Sequence, residues 1–133
     1  MKVFVSGSIS IKNLPKKAIE EINSFINNEY TILIGDAFGV DYSVQKFLDE
    51  KRYNKVLIYY AGKTIRNNYG NWPTINVIAL NNEKGRELYT LKDNQMATDS
   101  DFGFMIWDGK SKGTLHNIRF MEAQNKQFQV VTK

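Results

Sequence analysis

Five short apolar runs recur along the chain with amphipathic stretches between them, and this alternation limits the fold more than any other feature. The runs are Lys2 to Val5, Thr31 to Ile34, Val56 to Tyr60, Phe102 to Trp107 and Phe128 to Val131. Each is brief and rich in β-branched or aromatic residues, the pattern of a strand. From Pro15 to Asn28, the residues Ala18, Ile19, Ile22, Phe25 and Ile26 share one helical stripe, with Lys16, Lys17, Glu20, Glu21 and Asn27 opposite. That spacing predicts a helix laid on a sheet. Asp41 to Lys51 repeats it through Val44, Phe47 and Leu48, and Leu115 to Asn125 through Leu115, Ile118, Phe120, Met121 and Ala123. Strands alternating with helices imply an α/β domain with a mostly parallel sheet.

One interval departs from the rhythm. Ala61 to Asn82 holds Gly62, Gly70, Pro73 and the asparagines Asn67, Asn68, Asn71 and Asn76 around a single extended run, Thr74 to Leu80. It reads as an ordered insertion. Glu83 to Ala97 then reads as a helix with Leu88, Leu91 and Met96 inward, despite Gly85, which costs about 1 kcal/mol relative to Ala. No repeat or linker interrupts residues 1–133, so a single domain is expected.

Composition narrows the chemistry. There is no cysteine and only one histidine, His116, which removes disulfides, thiolate nucleophiles, iron–sulfur clusters and multi-histidine metal sites. Neither a metal nor a resident cofactor is expected. No stretch approaches the ~20 apolar residues of a membrane span, and MKVFVSGS runs straight into a strand, so the expected compartment is the cytoplasm, with no membrane partner. The net charge of +4 favours anionic ligands but is spread along the chain, and by itself does not indicate nucleic acid.

In open parallel sheets, ligands bind beyond the carboxyl ends of the strands. Three loops there carry small and polar residues: Ser6-Gly7-Ser8, Gly35-Asp36-Ala37-Phe38-Gly39-Val40-Asp41, and Asp108-Gly109-Lys110-Ser111-Lys112-Gly113-Thr114. The last offers glycines, two hydroxyls, two lysines and a following helix N-terminus, the requirements of an anion site. It lacks the G-x-x-x-x-G-K-[ST] pattern, so magnesium-dependent ATP hydrolysis is not implied. A plain strand-to-helix turn capped by Ser111 or Thr114 is the structural alternative.

In the second loop, Gly35 and Gly39 permit a tight turn, and Asp41 falls where a helix cap or first-turn carboxylate would sit. Capping is favoured for Asp41, and Asp36 is the expected ligand residue, accepting sugar hydroxyls. Gly7 and Ser8 either hold ligand or simply end a strand. Arg66, Asn67, Asn68, Tyr69, Asn71 and Trp72 form a polar-aromatic cluster suited to stacking on a base; the alternative is a turn whose Trp72 anchors in the core. His116 falls in the first turn of a helix, either facing the same site or serving structure. Asp99 and Asp101 lie at the opposite end of the sheet.

These loops resemble those of the SLOG superfamily, the group that includes the LOG cytokinin-activating hydrolases, YpsA-like proteins and the DNA-processing protein A core. Ser6-Gly7-Ser8, Gly35-Asp36-Ala37-x-Gly39-Val40-Asp41 and Gly113-Thr114 carry the likeness, which is greatest to small stand-alone bacterial members. It implies a Rossmann-like three-layer α/β/α fold, a nucleotide or nucleotide-derived ligand such as a nucleoside monophosphate or an ADP-ribose-like molecule, and a homodimer. The chain would act as a sensor, carrier or sequestering protein.

The site expected on these grounds places phosphate at Asp108, Gly109, Lys110, Ser111, Lys112, Gly113 and Thr114. Sugar falls near Gly7, Ser8, Gly35, Asp36 and Gly39, and the base near Arg66, Asn67 and Trp72. The enzyme alternative is N-glycosidase or deoxyribosyltransferase-like chemistry on nucleoside 5′-monophosphates. The LOG pattern P-G-G-x-G-T-x-x-E places its glutamate where this chain has Asn117, and an amide cannot act as a carboxylate base. Asp36 is then the candidate catalytic residue, while Glu87 and Asp93 are expected on the outer face of their helix. Single-stranded DNA binding ranks last, because Asp36, Asp41 and Asp108 line the edge a phosphate backbone would follow.

Overall fold

The apolar runs become strands buried on both faces, which is why they read as near-continuous hydrophobic segments. The computed structural model describes residues 1–133. The chain runs β1 (Lys2–Gly7), α1 (Lys16–Asn27), β2 (Thr31–Gly35), α2 (Val40–Glu50), β3 (Val56–Ala61), β4 (Thr74–Val77), α3 (Arg86–Asp99), β5 (Phe102–Trp107), α4 (Lys112–Ala123) and β6 (Gln127–Thr132). The strands pair in the order β4-β3-β2-β1-β5-β6, every pair parallel. Val3, Val5, Ile32, Ile34, Phe104 and Ile106 turn to one face and meet Ala18, Ile22, Val44 and Leu48 of α1 and α2. Phe4, Leu33, Tyr59 and Met105 turn to the other and meet Met96, Ala97, Ile118 and Met121 of α3 and α4. The result is the three-layer α/β/α arrangement of a Rossmann-like fold.

From β1 the chain winds outward through β2 and β3 with its helices on one face; from β5 it winds the other way with helices on the opposite face. The direction therefore reverses between β1 and β5, where the two loops diverge and leave a crevice at their carboxyl ends. Gly7 ends β1 at this point because nothing larger fits: a Cβ there would collide with the Ile106 carbonyl and the Val40 methyls. Gly39, at φ 72°, turns into α2 against the backbone of Ile9.

β3 reaches β4 without a helix, and the intervening turn is closed by side chains. Asn68 accepts the Trp72 N–H through Oδ1 at 2.9 Å and donates through Nδ2 to the Trp72 carbonyl at 2.9 Å. Gln45 of α2 donates to the Gly35 carbonyl at 2.9 Å and the Asn67 carbonyl at 3.2 Å, and accepts the Tyr69 N–H at 2.8 Å. Trp72 is buried in the core under α1 and α2, and its Nε1 donates to the Tyr53 carbonyl at 2.8 Å. Its ring is thus committed to packing, and the expectation that it stacks on a base is corrected. The extended run is also shorter than expected: β4 ends at Val77.

Candidate functional site

A cavity of about 590 Å3 opens at the crevice between β1 and β5, walled by the N-terminal turns of α3 and α4. Its α4 wall follows from the sequence Asp108 to Thr114. Gly109 turns the chain at φ 80°, and Asp108 Oδ1 accepts the N–H groups of Lys110 and Ser111, each at 2.8 Å. Its Oδ2 accepts the Ser10 hydroxyl at 2.7 Å. The Ser10 hydroxyl, then the Ser111 and Lys110 N–H groups, hold the Asp108 carboxyl well below the usual carboxylate range. With both oxygens occupied, Asp108 shapes the loop.

Ser111 is the residue before α4, and no side chain caps the helix, so the N–H groups of its first turn, Lys112, Gly113 and Thr114, are left without intrahelical acceptors. A chain of hydroxyls runs beside them. Ser8 Oγ accepts the Asp108 N–H at 3.0 Å and pairs with Ser111 Oγ at 2.8 Å, and Ser111 Oγ donates to Thr114 Oγ1 at 3.0 Å. Ser8 must then donate to Ser111, which leaves the Thr114 hydroxyl proton as the free end of the chain. Gly113 has nothing within 4 Å of where its Cβ would stand. Orphan N–H groups, a free hydroxyl proton and the positive end of a helix together suit a phosphate or another oxyanion.

The floor, built from α2 and α3, has a different character. Lys92 and Asp41 are buried, at 3% and 6% exposure. Lys92 Nζ lies 3.5 Å from Asp93 Oδ1 and 3.8 Å from Asp36 Oδ1. Asn117 donates to Asp93 Oδ2 at 3.2 Å and to Ser6 Oγ at 3.3 Å. Asp41 Oδ2 accepts the Ala37 N–H at 3.2 Å. Burial pushes the Asp41 carboxyl up to about 7; Lys92 opposes the rise, and Asp93 and Asp36 add to it.

That shift has a sign in stability. Well below pH 4 the Asp41 carboxyl is protonated in both states. Between its ordinary value of 3.8 and about 7 the unfolded chain ionises first, so the native state loses stability as pH rises through this window and the loss is complete above it. Asp41→Asn, which keeps an acceptor for Ala37, is therefore expected to match the native chain in urea unfolding near pH 4. At pH 8 it should exceed it by on the order of 4 kcal/mol, a window of about three pH units at ~1.4 kcal/mol each. Parallel stability–pH curves for the two proteins would contradict the burial argument.

The sequence-predicted residues divide at this cavity. Gly7, Ser8, Arg66, Asp108, Ser111, Lys112, Gly113 and Thr114 line it; Gly35, Asp36, Gly39, Asn67, Trp72, Gly109 and Lys110 do not. Asp36 is the largest correction. It is 1% exposed, its Oδ1 accepts the Arg66 guanidinium at 2.7 Å and its Oδ2 the Arg66 N–H at 2.8 Å. Buried and away from the cavity lining, it holds Arg66 in place, so the structure gives it an anchoring position in place of the expected contact with a sugar. Asn67, also outside the cavity lining, donates through Nδ2 to the Asp36 and Ala37 carbonyls at 2.9 and 3.3 Å.

Asp41 and Asp93, expected respectively as a helix cap and a surface charge, both line the cavity, together with Arg86, Tyr89, Lys92, His116 and Asn117. His116 stacks on Phe120 and shares a 2.9 Å hydrogen bond with Asn94. Lys92 was detectable: taking Met96 as inward on a helix places Lys92 and Asp93 one turn earlier on the same face.

No protein-family model matches the chain, and no curated protein matches it in sequence. Among solved structures it is similar to DNA processing protein A from Helicobacter pylori, a protein described for its single-stranded DNA binding mode, with a TM-score of 0.72 and 17% identity. The match covers 100% of this chain and 66% of that one. At this identity the likeness establishes the fold alone, a Rossmann-like α/β sheet.

Proposed function

We propose that the chain binds a small nucleotide or nucleotide-derived ligand in the cavity between β1 and β5, with a phosphate group on the first turn of α4. The observation that carries this reading is the uncapped α4 N-terminus, with the Ser8–Ser111–Thr114 hydroxyl chain beside it, opening into a cavity of about 590 Å3. That volume lies in the range of small-molecule and cofactor sites. Lys112 and Arg86 on the two helical walls add positive charge at the mouth, and the exposed Ile9 and Tyr89 offer apolar surface at its rim for a base. A role as sensor, carrier or sequestering protein requires no more than this.

The test is calorimetric titration with mono-, di- and cyclic nucleotides, NAD and ADP-ribose, followed by chromatography of each mixture after prolonged incubation. Saturable binding with intact ligand recovered is the expected result; release of free base would move the assignment to the N-glycosidase alternative. The fold shared with the Helicobacter pylori protein favours a second reading, single-stranded DNA. Against it stand Asp41, Asp93 and Asp108 in the cavity wall, which repel a threaded phosphate backbone. An oligothymidylate that binds while every mononucleotide fails would establish that second reading. Self-association into a homodimer, part of the same proposal, would be read by sedimentation as twice the 15.4 kDa chain mass.

A further inference from the structure

The cavity floor holds an ammonium and a carboxylate oxygen that make no hydrogen bond within the protein. Lys92 is 3% exposed, and its contacts with Asp93 and Asp36, at 3.5 and 3.8 Å, are ion pairs without a hydrogen bond. Asp41, 6% exposed, uses Oδ2 on the Ala37 N–H, while its Oδ1 takes no hydrogen bond. Both side chains line the cavity. Facing the cavity without a protein partner, the two groups are free to bond a ligand.

The floor is also built around these two groups. A Cβ on Gly35 would stand 2.6 Å from Asp41 Oδ2 and 2.7 Å from Lys92 Nζ, so a glycine at this position is what lets both side chains lie against the end of β2. Asp93 is held from the other side by Asn117.

The charge pattern excludes some partners. Asp36 is matched by Arg66, which leaves Asp41 and Asp93 to share Lys92. A second phosphate would meet two carboxylates here and is disfavoured. A neutral hydroxyl is not, because it donates to a carboxylate and accepts from an ammonium at the same time. Two acceptors on different helices flanking one donor suit two neighbouring hydroxyls. Resting on the nucleotide reading above, we propose that the cavity selects ribonucleotides over 2′-deoxyribonucleotides, with Asp41 and Asp93 accepting from the 2′,3′-diol and Lys92 donating to it. Phosphate at α4 and diol over the floor then orient the ligand along the cavity, with its base toward the rim.

The experiment compares AMP with dAMP and UMP with dUMP by calorimetry at pH 7.5, on the native chain and on Asp93→Asn and Asp41→Asn, with circular dichroism confirming that each variant is folded. The native chain should prefer each ribonucleotide by about tenfold or more, the effect of one hydrogen bond to a charged group. In the two variants the ratio should fall toward one. Binding of AMP and dAMP within twofold by the native chain would overturn the diol assignment while leaving the phosphate site standing. A native preference that persists in both variants would remove Asp41 and Asp93 from it. Failure of all four nucleotides to bind would overturn this inference and the nucleotide reading together.

Discussion

Gly113→Asp is expected to abolish binding of any phosphate-bearing ligand and to leave the protein at least as stable as before. The position is exposed, in the first turn of α4, with open space where a side chain would go. An aspartate there places its carboxylate over the N–H groups assigned to the phosphate, so it both occupies and neutralises the anion site. The loss should be about 100-fold or more, since charge-assisted hydrogen bonds worth ~1.5–3 kcal/mol each are removed and replaced by repulsion. The same carboxylate favours the helix by about 0.3–1 kcal/mol, and replacing glycine removes a residue of poor helix propensity. Calorimetry and thermal unfolding on one preparation read both effects. Retained affinity would show that the phosphate does not sit on α4.

Asp36→Ala should act in the opposite way, costing stability because of what it leaves behind. Its carboxylate receives the Arg66 guanidinium and backbone N–H, with Lys92 nearby, and is 1% exposed. Removing it strands Arg66, leaves Lys92 with Asp93 as its one ion-pair partner, and frees the turn that carries the chain from β3 to β4. Breaking a buried pair from one side typically costs 3–5 kcal/mol, and because Arg66 is 27% exposed the lower end, roughly 3 kcal/mol, is expected. Urea unfolding measures it. The double variant Asp36→Ala/Arg66→Ala should be less destabilised than the two single losses added together, since the second change removes a charge that the first had orphaned. A single-variant loss below about 0.5 kcal/mol, the range of ordinary surface substitutions, would show that the anchor is not structural.

The contrast between these two positions shows what the sequence makes legible. The strands were readable because β1, β2 and β5 are covered on both faces, so their residues are apolar without interruption. The α4 wall was readable because its requirements are local: Asp108 to Thr114 bend, bond and start a helix within seven consecutive residues. Asp36 was misread because its partner, Arg66, lies thirty positions away in a turn with no regular periodicity. Trp72, whose indole N–H is spoken for by Tyr53, presents the same difficulty.

The α3 helix is legible in the sequence, but its polar inward positions are not, for a different reason. Its inner face is the wall of a polar cavity, so Tyr89, Lys92 and Asp93 occupy positions where a helix on a sheet would ordinarily show leucines. A search for an apolar stripe selects Leu88 and Leu91 and passes over the face that lines the cavity.

The most direct test of the account is backbone amide nuclear magnetic resonance of the native chain during titration with AMP. The account predicts saturable shifts that are largest at the Gly113 and Thr114 amides, with smaller ones at Ser8, Asp93 and Lys92, and none of comparable size at the opposite end of the sheet around Asp101. Large shifts confined to another surface, or none at Gly113 and Thr114 at concentrations where the other readouts saturate, would contradict it.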